Sequence, residues 1–256
     1  MVKHLLPFGA ALVLISGLSA QRNIDYPAEE YLGGGIGYTP TFLLMDVAQA
    51  FPFNLTSEAA TTTGLLDSSG LNFDDLEALG TMLVLHGVEG YGNVSGHWRV
   101  GAYVGLGSNS ITRVDTTAGR ETVDLKLTLM TGNASIEYVV PIFSNLEIAA
   151  GSLFGFSRGI IQFAHTSGSP DWAGQFAGTD TANTQVALSG TFFSFQPYVA
   201  LKLQFLDRAG LRMSAGYQIG TLPANRWTIN DFQNIVAPSD GDFNAVAFRV
   251  MLYLGI

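Results

Sequence analysis

The chain has 256 residues, a formal net charge of −9 and no cysteine. An acidic balance excludes nucleic acid as a partner, because phosphate contacts need a surplus of Lys and Arg. The missing cysteines exclude disulfide stapling and a lipidated cysteine anchor. Charged residues are only 13% of the chain and glycines number 30; with a positive mean hydropathy and apolarity spread in short alternating runs, this suits a sheet facing lipid.

Residues 1–20 predict a cleaved secretory signal peptide. Lys3 and His4 precede an apolar run at 5–18, and Ser19-Ala20 supply small residues before Gln21. The run is shorter than the ~20 residues of a membrane-spanning helix. Residues 21–256 then form a single domain, with 21–29 a short tail. The N-x-S/T triplets at Asn54, Asn93 and Asn133 are read as chance.

Alternation with period two predicts eight strands at 30–45, 81–92, 97–111, 121–141, 145–166, 183–205, 210–221 and 243–256. The connections at 93–96, 142–144 and 206–209 are short. Those at 46–80, 112–120, 167–182 and 222–242 are long, and 72–80 carries the cap-like Asn72, early acids and terminal Gly80 of a short helix. Long and short connections alternate strictly, which is the topology of an all-β, eight-stranded antiparallel up-and-down transmembrane barrel with short periplasmic turns and long outer loops. A soluble lipocalin-like barrel is the competing fold.

Side-chain volume decides between them. On the sixth strand Phe193, Phe195, Pro197, Val199, Leu201, Leu203 and Phe205 share one face. An eight-stranded lumen is only just wide enough to be filled, so this set belongs outside, in lipid, with Ser194, Gln196, Tyr198, Lys202 and Gln204 inside. By the same logic Trp98, Val100, Val104 and Leu106 face out, as do Leu211, Met213, Tyr217 and Ile219. The run 243–256 alternates without a fault and places Arg249 inside and Phe248, Val250, Leu252 and Leu254 in lipid. The fourth strand changes phase near 131–133, from Val123, Leu125, Leu127 and Leu129 to Ala134, Ile136, Tyr138 and Val140; a one-residue bulge would reconcile the halves. Strands four to six exceed the ~10 residues of a tilted span, so 121–127, 158–166 and 183–190 are expected to rise above the bilayer.

In these strands and connections the chain resembles the small OmpA/OmpX-type eight-stranded outer-membrane barrels, in architecture and without a diagnostic motif. The resemblance implies residence in the bacterial outer membrane as a monomer, outer-membrane lipid as surroundings, and the barrel-assembly machinery as a partner of the C-terminal strand. Two departures stand out: the last residue is Ile256 where an aromatic residue is usual, and the peptidoglycan-binding domain of OmpA does not follow.

The facing assigns a luminal charge network of Glu89, Arg99, Asp124, Lys126, Glu137, Glu147, Lys202, Arg212 and Arg249. Charges in a narrow lumen must be paired or hydrated. Near-balanced signs in a tight bore favour a plug over the alternative, a small porin-like channel lined by rings of charge. An enzyme reading, a lipid-modifying one resting on His165 with Ser167 and Ser169, lacks a fixed base, orienting acid and nucleophile, so neither catalysis nor a cofactor is expected. The long connections hold twelve acids against Arg113, Arg120 and Arg226, read as solvated loops with an extracellular protein partner as the functional alternative. Asp240-Gly241-Asp242-Phe243-Asn244 has alternating oxygen ligands but lacks the sixth-position glycine and the distal Glu of a Ca²⁺ loop, and no metal site is assigned. Trp172 and Trp227 lie in outer loops, as partner anchors or as packing within the loops.

Overall fold

The computed structural model describes residues 34–45, 50, 82–115, 121–143, 145–167, 183–206, 208–237 and 239–255. The expected signal peptide, the start of the first strand, the helix at 72–80, Trp172 and Ile256 lie outside the described residues.

Every alternating run is a strand. The first is split into β1 (Gly34–Tyr38) and β2 (Thr41–Leu44), because Pro40 has no N–H to give to a ladder. There follow β3 (Met82–Ser95), β4 (Trp98–Asp115), β5 (Glu121–Phe143), β6 (Leu146–Ser167), β7 (Asn183–Leu206) and β8 (Ala209–Leu222). The connection after β8 has internal structure that alternation does not announce: a 3-10 turn at Ala224–Arg226, then β9 (Trp227–Ile229), β10 (Gln233–Ile235) and β11 (Gly241–Asp242). The chain then enters β12 (Ala245–Gly255). Neighbouring strands pair antiparallel in chain order from β3 to β8, β8 pairs with β12, and β1 and β2 pair with both β12 and β3. The ring is closed, with β1 and β2 counting as one of its eight staves.

Its outside is apolar. Trp98, Val100, Val104 and Leu106 on β4, Phe154 and Phe156 on β6, Phe193 and Phe195 on β7, and Phe248, Val250, Leu252 and Leu254 on β12 are all exposed. Their neighbours in sequence point into the lumen and are buried, among them Arg99, Tyr103, Gln196 and Arg249, as is Arg212 on β8. Soluble monomers rarely expose apolar patches beyond a few hundred Å², so this inverted arrangement is that of a membrane-spanning eight-stranded β-barrel. Trp98 and Tyr138 meet edge to face, ring centroids 5.4 Å apart, where the belt meets the short-turn interface. Inward glycines make room for rings: a Cβ on Gly87 would stand 2.5 Å from Tyr103 Cε2.

The fourth strand of the sequence reading, β5, corrects one expectation. Its register against β4 and β6 runs unbroken through Thr131, Gly132 and Asn133, so no bulge exists there. Val123, Leu125, Leu127 and Leu129 keep the inward phase of Ser135 and Glu137 and are buried. The environment changes, not the strand. Above Met130 the outward face meets water rather than lipid and becomes Thr128, Lys126 and Asp124, while the interior becomes the apolar core of a protruding structure. Leu43, Leu83, Leu85, Ile161, Leu188, Phe192, Leu222, Trp227 and Phe243 complete that core.

Candidate functional site in the lumen

Below the apolar core the interior is layered. A hydroxyl and amide layer comes first: Asn133 Nδ2 donates to Thr131 Oγ1 at 2.8 Å, Ser194 Oγ donates to Asn133 Oδ1 at 3.0 Å, and Ser157 Oγ lies 2.9 Å from Thr131 Oγ1. Toward the short turns lie the charges.

Seven of them form one chain of alternating sign. Lys202 Nζ stands 3.3 Å from Glu147 Oε1, and Glu147 Oε2 lies 2.8 Å from Arg99 Nη2. Arg99 Nη1 reaches Glu137 Oε2 at 3.6 Å. Arg212 then bridges Glu137 and Glu89, and Arg249 Nη1 ends the chain 3.3 Å from Glu89 Oε2. The order along it is +−+−+−+, so cations exceed carboxylates by one. Four tyrosines surround the cations. Arg99 lies 4.5 Å from the Tyr91 ring centroid, Arg249 4.4 Å from that of Tyr198 and Lys202 5.1 Å from that of Tyr253. Tyr103 is within 5.8 Å of Arg249. Ring faces attract cations, which offsets the surplus positive charge, and the Tyr198 hydroxyl donates to Glu137 at 2.6 Å.

Glu89, Arg99, Glu137, Glu147, Lys202, Arg212 and Arg249 are thus brought together as the sequence places them. Asp124 and Lys126 are not. Both sit on the outward face of β5 above the lipid belt, where Thr112 Oγ1 donates to Asp124. Their expected place inside follows from reading Leu125 and Leu127 as lipid-facing, and that rule holds only below the water boundary. The tyrosines are the partners that sequence reasoning misses. Their signal is positional: each lies on a strand in the inward phase, as the bases do.

The histidines are dispersed. His97 Nδ1 stands 3.0 Å from Val139 O at the short-turn end, and His86 Nδ1 meets Tyr38 Oη on the outer face. Asp240 and Asp242 spend their carboxylates on backbone, accepting from Ala224 N at 2.7 Å and Asn244 N at 3.0 Å. Among the described residues no group of three or more His, Asp or Glu side chains could hold a metal.

Trp227 is fully buried in the outer mouth, packed against Gly241, so of the two sequence readings for this residue packing holds. Beside it, Asp231 Oδ1 accepts from Ser189 Oγ at 2.6 Å and from Arg158 Nη2 at 2.7 Å. The Ser189 hydroxyl, with the Arg158 guanidinium behind it, holds the Asp231 carboxyl below its ordinary 3.8. A depressed carboxylate stabilises the closed loop fully above the ordinary value, and that contribution fades as pH falls through the depressed one. Carboxyl NMR of the refolded barrel should show Asp231 titrating below 3.8, and Ser189→Ala should move the midpoint upward. An unshifted Asp231 in the parent protein would mean the contact is not made in solution.

No family model and no curated protein matches the chain. Solved structures do. The attachment invasion locus protein Ail of Yersinia pestis, in complex with the heparin analogue sucrose octasulfate, is 10% identical over 88% of this chain and 97% of its own, with a TM-score of 0.41. OprG from Pseudomonas aeruginosa is 9% identical over 89% and 97%, with a TM-score of 0.43. A major outer membrane protein from Thermus thermophilus is 9% identical over 87% and 97%, with a TM-score of 0.39.

Proposed function

We propose that this outer-membrane barrel serves a structural and surface-interaction role, with its lumen plugged. The observation that carries the plug is two barriers in series: the seven-membered ion chain near the periplasmic end and the apolar core capped by Trp227 at the outer end. An ion would have to displace paired charges and then cross a dry layer, and both are costly.

The interaction role rests on the edge of the protruding sheet. The β3–β4 ladder stops at His86 opposite Leu106, while β4 continues beside β5 to Asp115. Ser108, Ser110, Thr112 and Val114 are exposed along it. An extended segment of an extracellular protein could add there as a strand, main chain supplying affinity and alternate side chains specificity. In this reading the barrel is monomeric, reaches the membrane after signal-peptide cleavage and assembly through its last strand, and does no catalysis.

Planar-bilayer recording of the refolded protein tests the plug. The parent barrel is expected to be silent, and Arg99→Ala alone should stay silent because the apolar barrier remains in series. Regular conductance steps from the parent protein would replace this reading with the channel.

A further inference from the structure

Toward the short turns the luminal ion chain ends on a cation. Lys202 Nζ shares Glu147 with Arg99, and the seven charges leave one cation in excess. The rings of Tyr91 and Tyr253, 5.9 and 5.1 Å from Nζ, soften that excess but carry no net charge to cancel it. Water reaches this end of the chain, since Glu147 is partly exposed. A further carboxylate can therefore approach from below, whereas from above it would have to cross the apolar core.

The described chain begins at the same place. Gly34 pairs with Gly92, and Gly35 with Tyr91 and Gly255, beside the short turn that follows Asn93. A Cβ on Gly35 would stand 2.8 Å from Tyr91 Oη and 3.3 Å from Tyr253 Cδ2, so the two rings that flank the Lys202 ammonium also touch the start of β1. The neighbours of β1 run out here. β12 ends at Gly255, opposite Gly35, and β3 ends at Ser95, which the same register sets opposite Tyr31. Upstream of Tyr31 neither flanking strand offers a backbone partner.

The residues ahead of Gly34 carry the missing sign. Residues 21–33 hold Asp25, Glu29 and Glu30 against Arg22. Glu30 is four positions from Gly34 and Glu29 five, a reach of roughly 13–18 Å of extended chain, enough to pass beneath a lumen as narrow as that of eight strands.

We propose that residues 21–33 fold back beneath the barrel and close its periplasmic mouth, with a carboxylate of the Glu29–Glu30 pair seated on Lys202. The luminal chain then alternates from end to end and is neutral, which is the condition for holding its charges out of water. This closure stands or fails separately from the plug: conductance reports on the whole path, and cleavage of the tail on this mouth alone.

Limited proteinase K digestion of the refolded mature chain tests it, with cuts within residues 24–31 read by mass spectrometry and the free peptide 21–36 setting the rate of an undocked segment. Such proteolysis tracks the open population when opening is fast. The parent protein should be cut at least about tenfold more slowly than the peptide. The double variant Glu29→Gln, Glu30→Gln should be cut about tenfold faster than the parent, with heat-modifiable migration of the barrel unchanged. Lys202→Met should act in the same direction from the other side of the contact. A parent protein cut at the peptide rate overturns the closure, and protection that neither variant relieves overturns its seat on Lys202. Should Lys202→Met fail to refold, the glutamine variant decides alone, since it leaves every luminal residue in place.

Discussion

Glu137→Leu is expected to destabilise the refolded barrel by about 3–5 kcal/mol, the cost of stripping a buried cation of its partner, read from the urea midpoint of detergent-refolded protein. Glu137 is the middle carboxylate of the ion chain. It holds Arg99 on one side and Arg212 on the other and accepts the Tyr198 hydroxyl. Removing it leaves two guanidiniums facing each other across a dry gap, with Glu147 and Glu89 each already serving a second cation. Glu147→Gln should cost less than half as much, because Glu147 is 21% exposed and water can hydrate what it leaves. The double variant Glu137→Leu, Arg212→Leu should recover most of the loss. It removes one charge of each sign and leaves two intact pieces, Lys202–Glu147–Arg99 and Glu89–Arg249, and apolar replacement of a buried pair is often neutral. A single variant within about 1 kcal/mol of the parent would instead place Glu137 among ordinary surface substitutions and show that the chain is hydrated rather than dry.

How much of this can be read from residues alone depends on where each residue lies relative to the bilayer. Arg212 is legible because Leu211 and Met213 bracket it and an eight-stranded lumen has no room for that larger set. Arg249 is legible for the same reason between Phe248 and Val250. Lys126 obeys the same local pattern between Leu125 and Leu127, yet it faces outward. Alternation reports which residues share a face; it does not report whether that face meets lipid or water. Only the unbroken register Lys126–Gln162 and Glu137–Gly151 on one ladder ties the two halves of β5 to a single phase. The tyrosine partners are hidden for another reason. Tyr198 and Glu137 lie 61 positions apart, and their meeting depends on the stagger of the ring, which no single strand encodes. Trp227 stands in a connection too short-paired to alternate, so its buried place follows from the β9–β10 hairpin and the pairing of β9 with β7 rather than from any periodic signal.

The position of the water boundary on β5 can itself be measured. Along the outward face run Tyr138, Ile136, Ala134, Gly132, Met130, Thr128 and Lys126, and Tyr138 to Met130 pair with the lipid-facing residues Trp98 to Leu106 of β4. Ala134, opposite Ala102, is midway along that belt. Arginine at position 134 should therefore cost about 2–4 kcal/mol, and arginine at position 128 less than about 1 kcal/mol, the depth dependence expected of a cation moved from the midplane to the interface of a transmembrane barrel. Lys126→Ala and Asp124→Ala should each lie within about 0.5 kcal/mol of the parent, as surface positions do, although the alternating pattern of the sequence puts both in the lumen. If arginine at 128 is as costly as at 134, the outward face of β5 remains in lipid to its top. The apolar run Val123 to Leu129 would then need another explanation than the core of a barrel standing above the membrane. If Lys126→Ala approaches the cost of Glu137→Leu, the strand turns over near Thr131 after all. The cost profile along one face of one strand thus separates a change of phase from a change of solvent.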